Sequence, residues 1–229
     1  MTLQIANSFG ATLGPNTVAI IDERHVLYLC GKFICVYQLS QGEVGTANST
    51  QTFIRGSSDG KQIKSICTSP QSSRVRGIAF TEQESQSRTQ ITVIPDWTNP
   101  SRRIKSPLTV DGQAVIALSF SGDSRYLCAL SRLSSNEYTL YIWQIEHSKM
   151  TCKQLAALRI QNSGPLTHAC FHLLDSSTIY ACGAGFFRVF KLQDQSVKSI
   201  PGAFGNKNLK NYTHMCWLTT QLTMNSAGI

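Results

Sequence analysis

A unit of about 50 residues recurs along this chain, and a repeat of that length limits the possible folds more than any single motif does. Leu118 lies 51 residues before Ala169, and Trp143 lies 47 residues before Phe190, so the copies match by position. Each copy carries four short apolar or alternating segments, which predict β-strands, separated by polar turns. We place the copies at residues 17–54, 63–109, 114–160 and 166–200, with the first strand of a fifth at 211–218.

Repeats of this length with four strands each are typical of a β-propeller, in which every blade buries its faces against its neighbours. The position that holds Trp-Asp in strong WD repeats is degenerate here, although its aromatic residue is kept. It reads Tyr37-Gln38, Trp143-Gln144 and Phe190-Lys191. We therefore predict an all-β, divergent WD-repeat propeller of about four blades plus the start of a fifth. Propellers close with about 4 to 8 blades, so a ring of four is possible, but it would leave the strand at 211–218 with no blade to join. We therefore expect an incomplete ring with open sheet edges.

The segments between the predicted strands also carry signals. Asp123-Ser124 and Asp175-Ser176 predict a turn held by the Asp side chain, between the first and second strands of their copies. The polar runs at 81–88 and 131–137 predict solvent loops between strands.

The chain has 21 Lys and Arg against 13 Asp and Glu, a net charge of +8 that is spread along the sequence. The positive electrostatic field of such a chain favours acidic partners, among them nucleic acid, an anionic membrane surface or the microtubule. Nucleic acid is the weakest of these, because the sequence has no zinc-finger spacing, RNA-recognition signature or basic helix. Two groups of basic residues are candidate contacts, one on the outer strand of the second copy and one before the fifth copy. They are Arg102, Arg103, Lys105, Lys207 and Lys210. Solvated charges that discourage edge pairing are the simpler explanation.

The first residues lack the pattern of a signal peptide, and 18 apolar residues never run together, so we expect a cytosolic protein without membrane insertion. In a reducing compartment the eight cysteines are expected to serve as small buried hydrophobic residues and not as a disulfide framework. They are Cys30, Cys35, Cys67, Cys128, Cys152, Cys170, Cys182 and Cys216.

The sharpest cluster of reactive side chains is His168, Cys170 and His172, which share one face of a predicted strand, with Cys182 on the next strand. They could form a zinc site, but His214 and Cys216 repeat the spacing in the next copy, which favours a feature of inner strands. No phosphate-binding loop, dinucleotide fingerprint or nucleophile elbow is present. We predict a non-enzymatic protein with no catalytic residue, metal or cofactor.

The order of local signatures resembles the amino-terminal propeller of a family of long WD-repeat proteins of motile cilia, that of cilia- and flagella-associated protein fifty-seven. The resemblance covers residues 9 to about 218. The residues that carry it are Phe9-Gly10, Ile21-Asp22-Glu23, Phe53-Ile54, Gly56, Ser69-Pro70, Phe120-Ser121, Asp123-Ser124, Tyr126-Leu127, Tyr141, Trp143, Gly183, Gly185, Phe187, Asn211-Tyr212, His214 and Trp217.

This resemblance implies a scaffold of the axoneme in a cilium or flagellum, where it helps to position inner dynein arms on doublet microtubules. The implied partners are inner dynein arm components and tubulin, and the implied location is the cytoskeleton. The chain lacks the long coiled coils of the family, and the family offers no catalytic residues. The alternative is a general cytosolic WD-repeat adaptor, for example in trafficking or RNA processing.

Overall fold

The computed structural model describes residues 10–12, 14, 16–39, 50–56, 61–70, 75–104, 108–193, 196–201 and 209–217. Sixteen strands lie in these ranges, and the described residues contain no helix that could cross a membrane. The strands are β1 Val18–Ile20, β2 His25–Cys30, β3 Phe33–Gln38, β4 Gln51–Arg55, β5 Ile63–Thr68, β6 Ile78–Ser85, β7 Arg88–Ile94, β8 Leu108–Asp111, β9 Ala114–Phe120, β10 Tyr126–Arg132, β11 Glu137–Glu146, β12 Thr151–Gln161, β13 Leu166–Phe171, β14 Thr178–Gly183, β15 Phe186–Gln193 and β16 Ser196–Pro201.

Each consecutive set of four strands forms one antiparallel sheet in chain order, and we number these sheets blade 1 to blade 4. The predicted all-β propeller fold is confirmed. The first strands of the blades lie side by side around a central channel. Ile66 on β5 donates its N–H to the carbonyl of Asn16 at 2.8 Å, and the Asn16 amide donates to the carbonyl of Ile116 on β9 at 3.1 Å. Asn16 therefore ties blades 1, 2 and 3 together at their inner strands.

The core consists of three apolar clusters, one between each pair of neighbouring blades. Side chains alternate along every strand, so one blade contributes to the clusters on both of its sides. On β11, Trp143 packs toward blade 2, whereas Ile142 packs toward blade 4. Phe190 on β15 packs toward blade 3, so two of the three aromatic residues at the degenerate Trp-Asp positions, Trp143 and Phe190, lie between described blades. Burial of one such side chain contributes roughly 1.5–3 kcal/mol.

Polar side chains fix the turn between the first and second strand of a blade, as the sequence predicts. In blade 3, Asp123 accepts from Ser121 Oγ at 2.7 Å and from the N–H of Arg125 at 3.1 Å. In blade 4, Asp175 accepts from the N–H of Ser177 at 3.0 Å. Asp22 does the same in blade 1 with the N–H of Arg24. These bonds hold the inner strands in register with their neighbours.

The prediction of a solvent loop at 81–88 is wrong, because β6 runs to Ser85 and β7 starts at Arg88. Thr81 and Glu82 are fully buried there. Thr81 shares a 2.8 Å hydrogen bond with Ser65, so a polar residue can lie inside the blade without losing its partners. The second predicted loop is shorter than 131–137, since β10 extends to Arg132 and β11 starts at Glu137.

The predicted first strand of a fifth blade does not form a regular strand within the described residues. Ala184 and Asn211 form an isolated bridge, and the N–H of Tyr212 donates to the carbonyl of Gly183 at 3.1 Å, but residues 212–217 do not belong to a strand. The segment nevertheless covers the inner part of blade 4. Trp217 donates Nε1–H to the carbonyl of Phe171 at 2.7 Å, and the rings of His168 and His214 lie 3.9 Å apart. No core cluster of the described residues joins blade 4 to blade 1, so the ring is incomplete.

Gly122→Ala should destabilise the protein, because a Cβ at Gly122 would lie 1.9 Å from the carbonyl oxygen of Leu173, in the neighbouring blade. The two turns would have to separate, and we expect a loss of about 1–3 kcal/mol in the free energy of unfolding. Gly77→Ala is the matched control, since its nearest neighbour would be 3.5 Å away. Urea unfolding measures both; equal midpoints would contradict the tight contact between blades 3 and 4.

Stability should fall as the pH drops from about 6.5 to 4, because burial and the nearby His214 lower the pKa of His168 to about 4. The folded state keeps His168 neutral in this window, whereas the unfolded state takes up the proton, so acid favours unfolding by up to about 1.4 kcal/mol per pH unit. Above pH 6.5 this contribution is fully present and constant. Unfolding midpoints between pH 7 and 5 should therefore fall less steeply in His168→Gln; parallel curves would contradict the assignment.

Candidate functional site at the channel mouth

The inner strands of all four blades end around one open cavity of 310 Å³, which we call the channel mouth. Each blade contributes the last residues of its first strand, and the segment after blade 4 contributes Trp217. The lining residues are Ala19, Ile20, Cys67, Thr68, Pro70, Leu118, Ser119, Phe120, Gly122, Cys170, Phe171, His172, Leu173 and Trp217. The site thus exists only because equivalent positions of four repeats meet at one point.

The lining is mostly apolar, and part of it faces solvent. Ile20 is 63% exposed and Trp217 is 40% exposed. The hydroxyl of Thr68 donates to the carbonyl of Ile20 at 3.2 Å, which links blades 1 and 2 at the rim. Ser119 accepts from the N–H of Phe171 at 3.4 Å, which links blades 3 and 4. Apolar surface with a few hydroxyls between blades suits a ligand that carries both apolar and hydrogen-bonding groups.

His172 and Cys170 are the two lining residues that the sequence marks as reactive. Nδ1 of His172 accepts the N–H groups of Leu174 at 3.2 Å and Asp175 at 3.0 Å, so the ring caps its own turn. Burial raises the pKa of Cys170 to about 11, which keeps the sulfur a neutral thiol at physiological pH. These two side chains therefore contribute to the shape and the polarity of the channel mouth, and neither is arranged as a reactive group.

Carboxylates in the turns beside the channel mouth each have a local cationic or polar partner. Partial burial raises the pKa of Asp123, but hydrogen bonds from Ser121 and Arg125 outweigh it and bring the pKa to about 2. Lys191 lies 2.6 Å from Asp175 and, with hydroxyl donors nearby, holds its pKa well below the usual range. These charges are compensated within their own blades, so the surface that the channel mouth offers is mainly apolar.

The four residues of the possible zinc set do not converge. The ring of His168 lies against that of His214 in a tilted arrangement, His172 caps a turn, and Cys182 lies 3.9 Å from the Thr167 hydroxyl. Within the described ranges, no group of three or more His, Cys, Asp or Glu residues is arranged to hold a metal ion.

The predicted contacts for an acidic partner are dispersed. Arg102 and Arg103 lie in the connection between β7 and β8, and not on the outer strand where the sequence places them. Arg103 donates to the carbonyls of Arg55 and Gly56, so it joins blade 2 to blade 1. Arg102 is exposed in blade 2 and Lys210 is exposed in the segment after blade 4. Lys105 and Lys207 lie outside the described residues. A role in binding an acidic partner stays a prediction for these positions.

Sequence reasoning missed Ile20, Thr68 and Trp217 as site residues. None belongs to a catalytic or ligand-binding motif, because the channel mouth combines a few positions from each repeat. The available signal was positional: the last residues of every first strand must meet at the axis of a propeller. Aligning the copies at those positions would have indicated the site.

No protein-family model and no curated protein matches this chain. Solved structures do match, among them Sqt1 of Chaetomium thermophilum, a WD-repeat propeller, bound to the N-terminus of the ribosomal protein L10. That match has a TM-score of 0.51 and 15% identity, over 83% of this chain and 50% of the solved chain. Another crystal structure of the same protein gives 0.51 and 14%, over 83% and 47%. This chain thus spans about half the length of the solved structures it matches. These matches do not support the resemblance to the ciliary family. At such low identity they show the fold alone. The fold is that of a divergent, incomplete WD-repeat β-propeller.

Proposed function

We propose that this chain is a non-enzymatic, protein-binding scaffold that holds a short extended segment of a partner protein at the channel mouth. The observation that carries this proposal is the convergence of four inner strands on a cavity with solvent-exposed Ile20 and Trp217. A cavity of 310 Å³ accommodates one or two side chains of a peptide. One buried aliphatic anchor would contribute roughly 1.5–3 kcal/mol to binding.

The cytosolic adaptor is the better supported of the two functions that the sequence predicts. Sqt1, which shares this fold, was solved in complex with the N-terminus of a ribosomal protein. A protein segment is therefore a ligand that a propeller of this kind can take, and the channel mouth offers a place for one here. We propose cytoplasm as the compartment and a protein of an assembling or trafficking complex as the partner.

The axonemal function remains a second candidate, favoured by the residues that resemble the ciliary family. In that case inner dynein arm components or tubulin would be the partners. Contact with the acidic surface of tubulin would use exposed cations such as Arg102 and Lys210, and it would weaken steeply with salt. Binding at the channel mouth would depend little on salt, because its lining carries no unpaired charge among the residues given above.

Thr68→Arg should remove partner binding, because a long charged side chain would fill the channel mouth from its exposed rim. The measurement is affinity capture of the tagged full chain from cytosol, followed by quantitative mass spectrometry. A partner that binds there should fall about tenfold or more with Thr68→Arg, and a peptide from it should bind the purified protein with the same sensitivity.

Gln154→Glu is the matched control, because Gln154 is exposed on the outer strand of blade 3, away from the channel mouth. Partners retained by both variants would contradict binding at this site. Tubulin or dynein components that are lost only with Arg102→Glu would favour the axonemal candidate instead.

A further inference from the structure

Large apolar side chains that face solvent are confined to the two ends of the incomplete ring, at blade 1 and at blade 4 with the segment that follows it. Among the described residues, seven are exposed, and none of them belongs to blade 2 or blade 3. Three lie in or next to blade 1, two in blade 4, and two in the segment that follows it. They are Val18, Ile20, Leu39, Leu174, Ile200, Leu209 and Trp217. Exposed apolar surface that is concentrated in this way is typical of an interaction site.

At the first end, the exposed residues belong to a face of blade 1 that no other described blade covers. Ala19, Val36 and Ile54 pack toward blade 2, so their neighbours along the strands face the opposite side. We call the apolar members of this set the head face. It consists of Val18, Ile20, Phe33, Tyr37 and Phe53. Phe33 and Phe53 meet edge to face at 6.3 Å, and Val18 is 57% exposed.

The head face corresponds to a surface that is covered in every other blade. Tyr37 occupies the position that Trp143 and Phe190 occupy in blades 3 and 4, where the aromatic ring packs against the preceding blade. Packing of one blade on the preceding blade therefore occurs three times among the described residues, twice with an aromatic residue at this position, whereas blade 1 has no preceding blade there. The head face is therefore suited to pack against a blade that would precede blade 1 in the ring.

At the other end, blade 4 presents the complementary surface. Val197 packs on the cluster between blades 3 and 4, so Ile200, three residues further along the same strand, faces away from blade 3. Ile200 is 47% exposed on the outer strand, and Leu209 and Trp217 in the segment after blade 4 are exposed as well. The ring of Trp217 lies 5.1 Å from that of Tyr180, at the inner end of the blade 4 face that points away from blade 3. We call this surface, made of Ile200, Leu209 and Trp217, the tail face. It is where a following blade would pack.

We propose that a second copy of this chain closes the ring, with the head face of each copy packed against the tail face of the other. Both contacts continue the blade-to-blade interface that holds each copy together, and a two-fold axis makes them equivalent. Two copies supply about as much chain as one solved propeller, since one copy matches half of it. Because each copy carries a net charge of +8, higher salt should strengthen the association.

Sedimentation equilibrium of the purified full chain tests this directly. We expect a monomer of 25.2 kDa at low concentration to give way to a species of twice that mass, and none larger. Val18→Asp in the head face and Ile200→Asp in the tail face should each weaken dimerisation about tenfold or more, because an unpaired carboxylate would be buried at the contact. Gln154→Asp is the control and should dimerise like the wild type. Circular dichroism checks that each variant is folded.

Mixing the two variants gives the decisive result. A Val18→Asp copy keeps its tail face and an Ile200→Asp copy keeps its head face, so an equimolar mixture should recover a heterodimer through one intact contact. A wild type that remains monomeric at the highest concentration, variants that dimerise normally, or species larger than a dimer would each overturn the proposal. Neither Val18 nor Ile200 lines the channel mouth, but the head and tail faces share Ile20 and Trp217 with it. Dimerisation is therefore measured with these two variants and partner binding separately with Thr68→Arg, so that either proposal can fail without the other.

Discussion

Apolar packing between the faces of neighbouring blades is the interaction on which the rest of this structure depends. A single four-stranded sheet has two faces, and in this chain both are apolar in the inner blades. Trp143 and Ile142 are adjacent on β11, yet they belong to clusters on opposite sides of blade 3. A blade in the middle of the chain therefore buries both of its faces, which explains why all the large exposed apolar side chains among the described residues lie in the end blades or in the segment after blade 4.

The same packing creates the channel mouth. Because the blades lie face to face, their first strands meet at the axis, and the turns that follow are placed around one cavity. Asp123 and Asp175 fix two of these turns, and Gly122 lets the turn of blade 3 approach the carbonyl of Leu173 in blade 4. The site is thus a consequence of the repeat, and its lining varies because each copy supplies different side chains.

The repeat could be read from the sequence because period-two alternation and spacing are local properties. The strands of blades 3 and 4 and the roles of Trp143 and Phe190 follow from it. The polar run around Thr81 and Glu82 could not be assigned, because its burial depends on Ser65 and other residues of different strands. Arg103 was misplaced for a similar reason: its partners are backbone carbonyls of blade 1. The channel mouth combines single positions of four copies, and no one copy carries its signature.

Hydrogen exchange of individual backbone amides in dilute protein tests most directly whether contact between blades, and not the sheet alone, stabilises this fold. Strands β2 and β3 in blade 1 and β10 and β11 in blade 3 are both central pairs with complete antiparallel ladders. They differ in that blade 3 is covered on both faces. We expect slower exchange in β10 and β11 than in β2 and β3, because packing on both faces of blade 3 stabilises its strands. Equal protection in the two pairs, or slower exchange in blade 1, would contradict it.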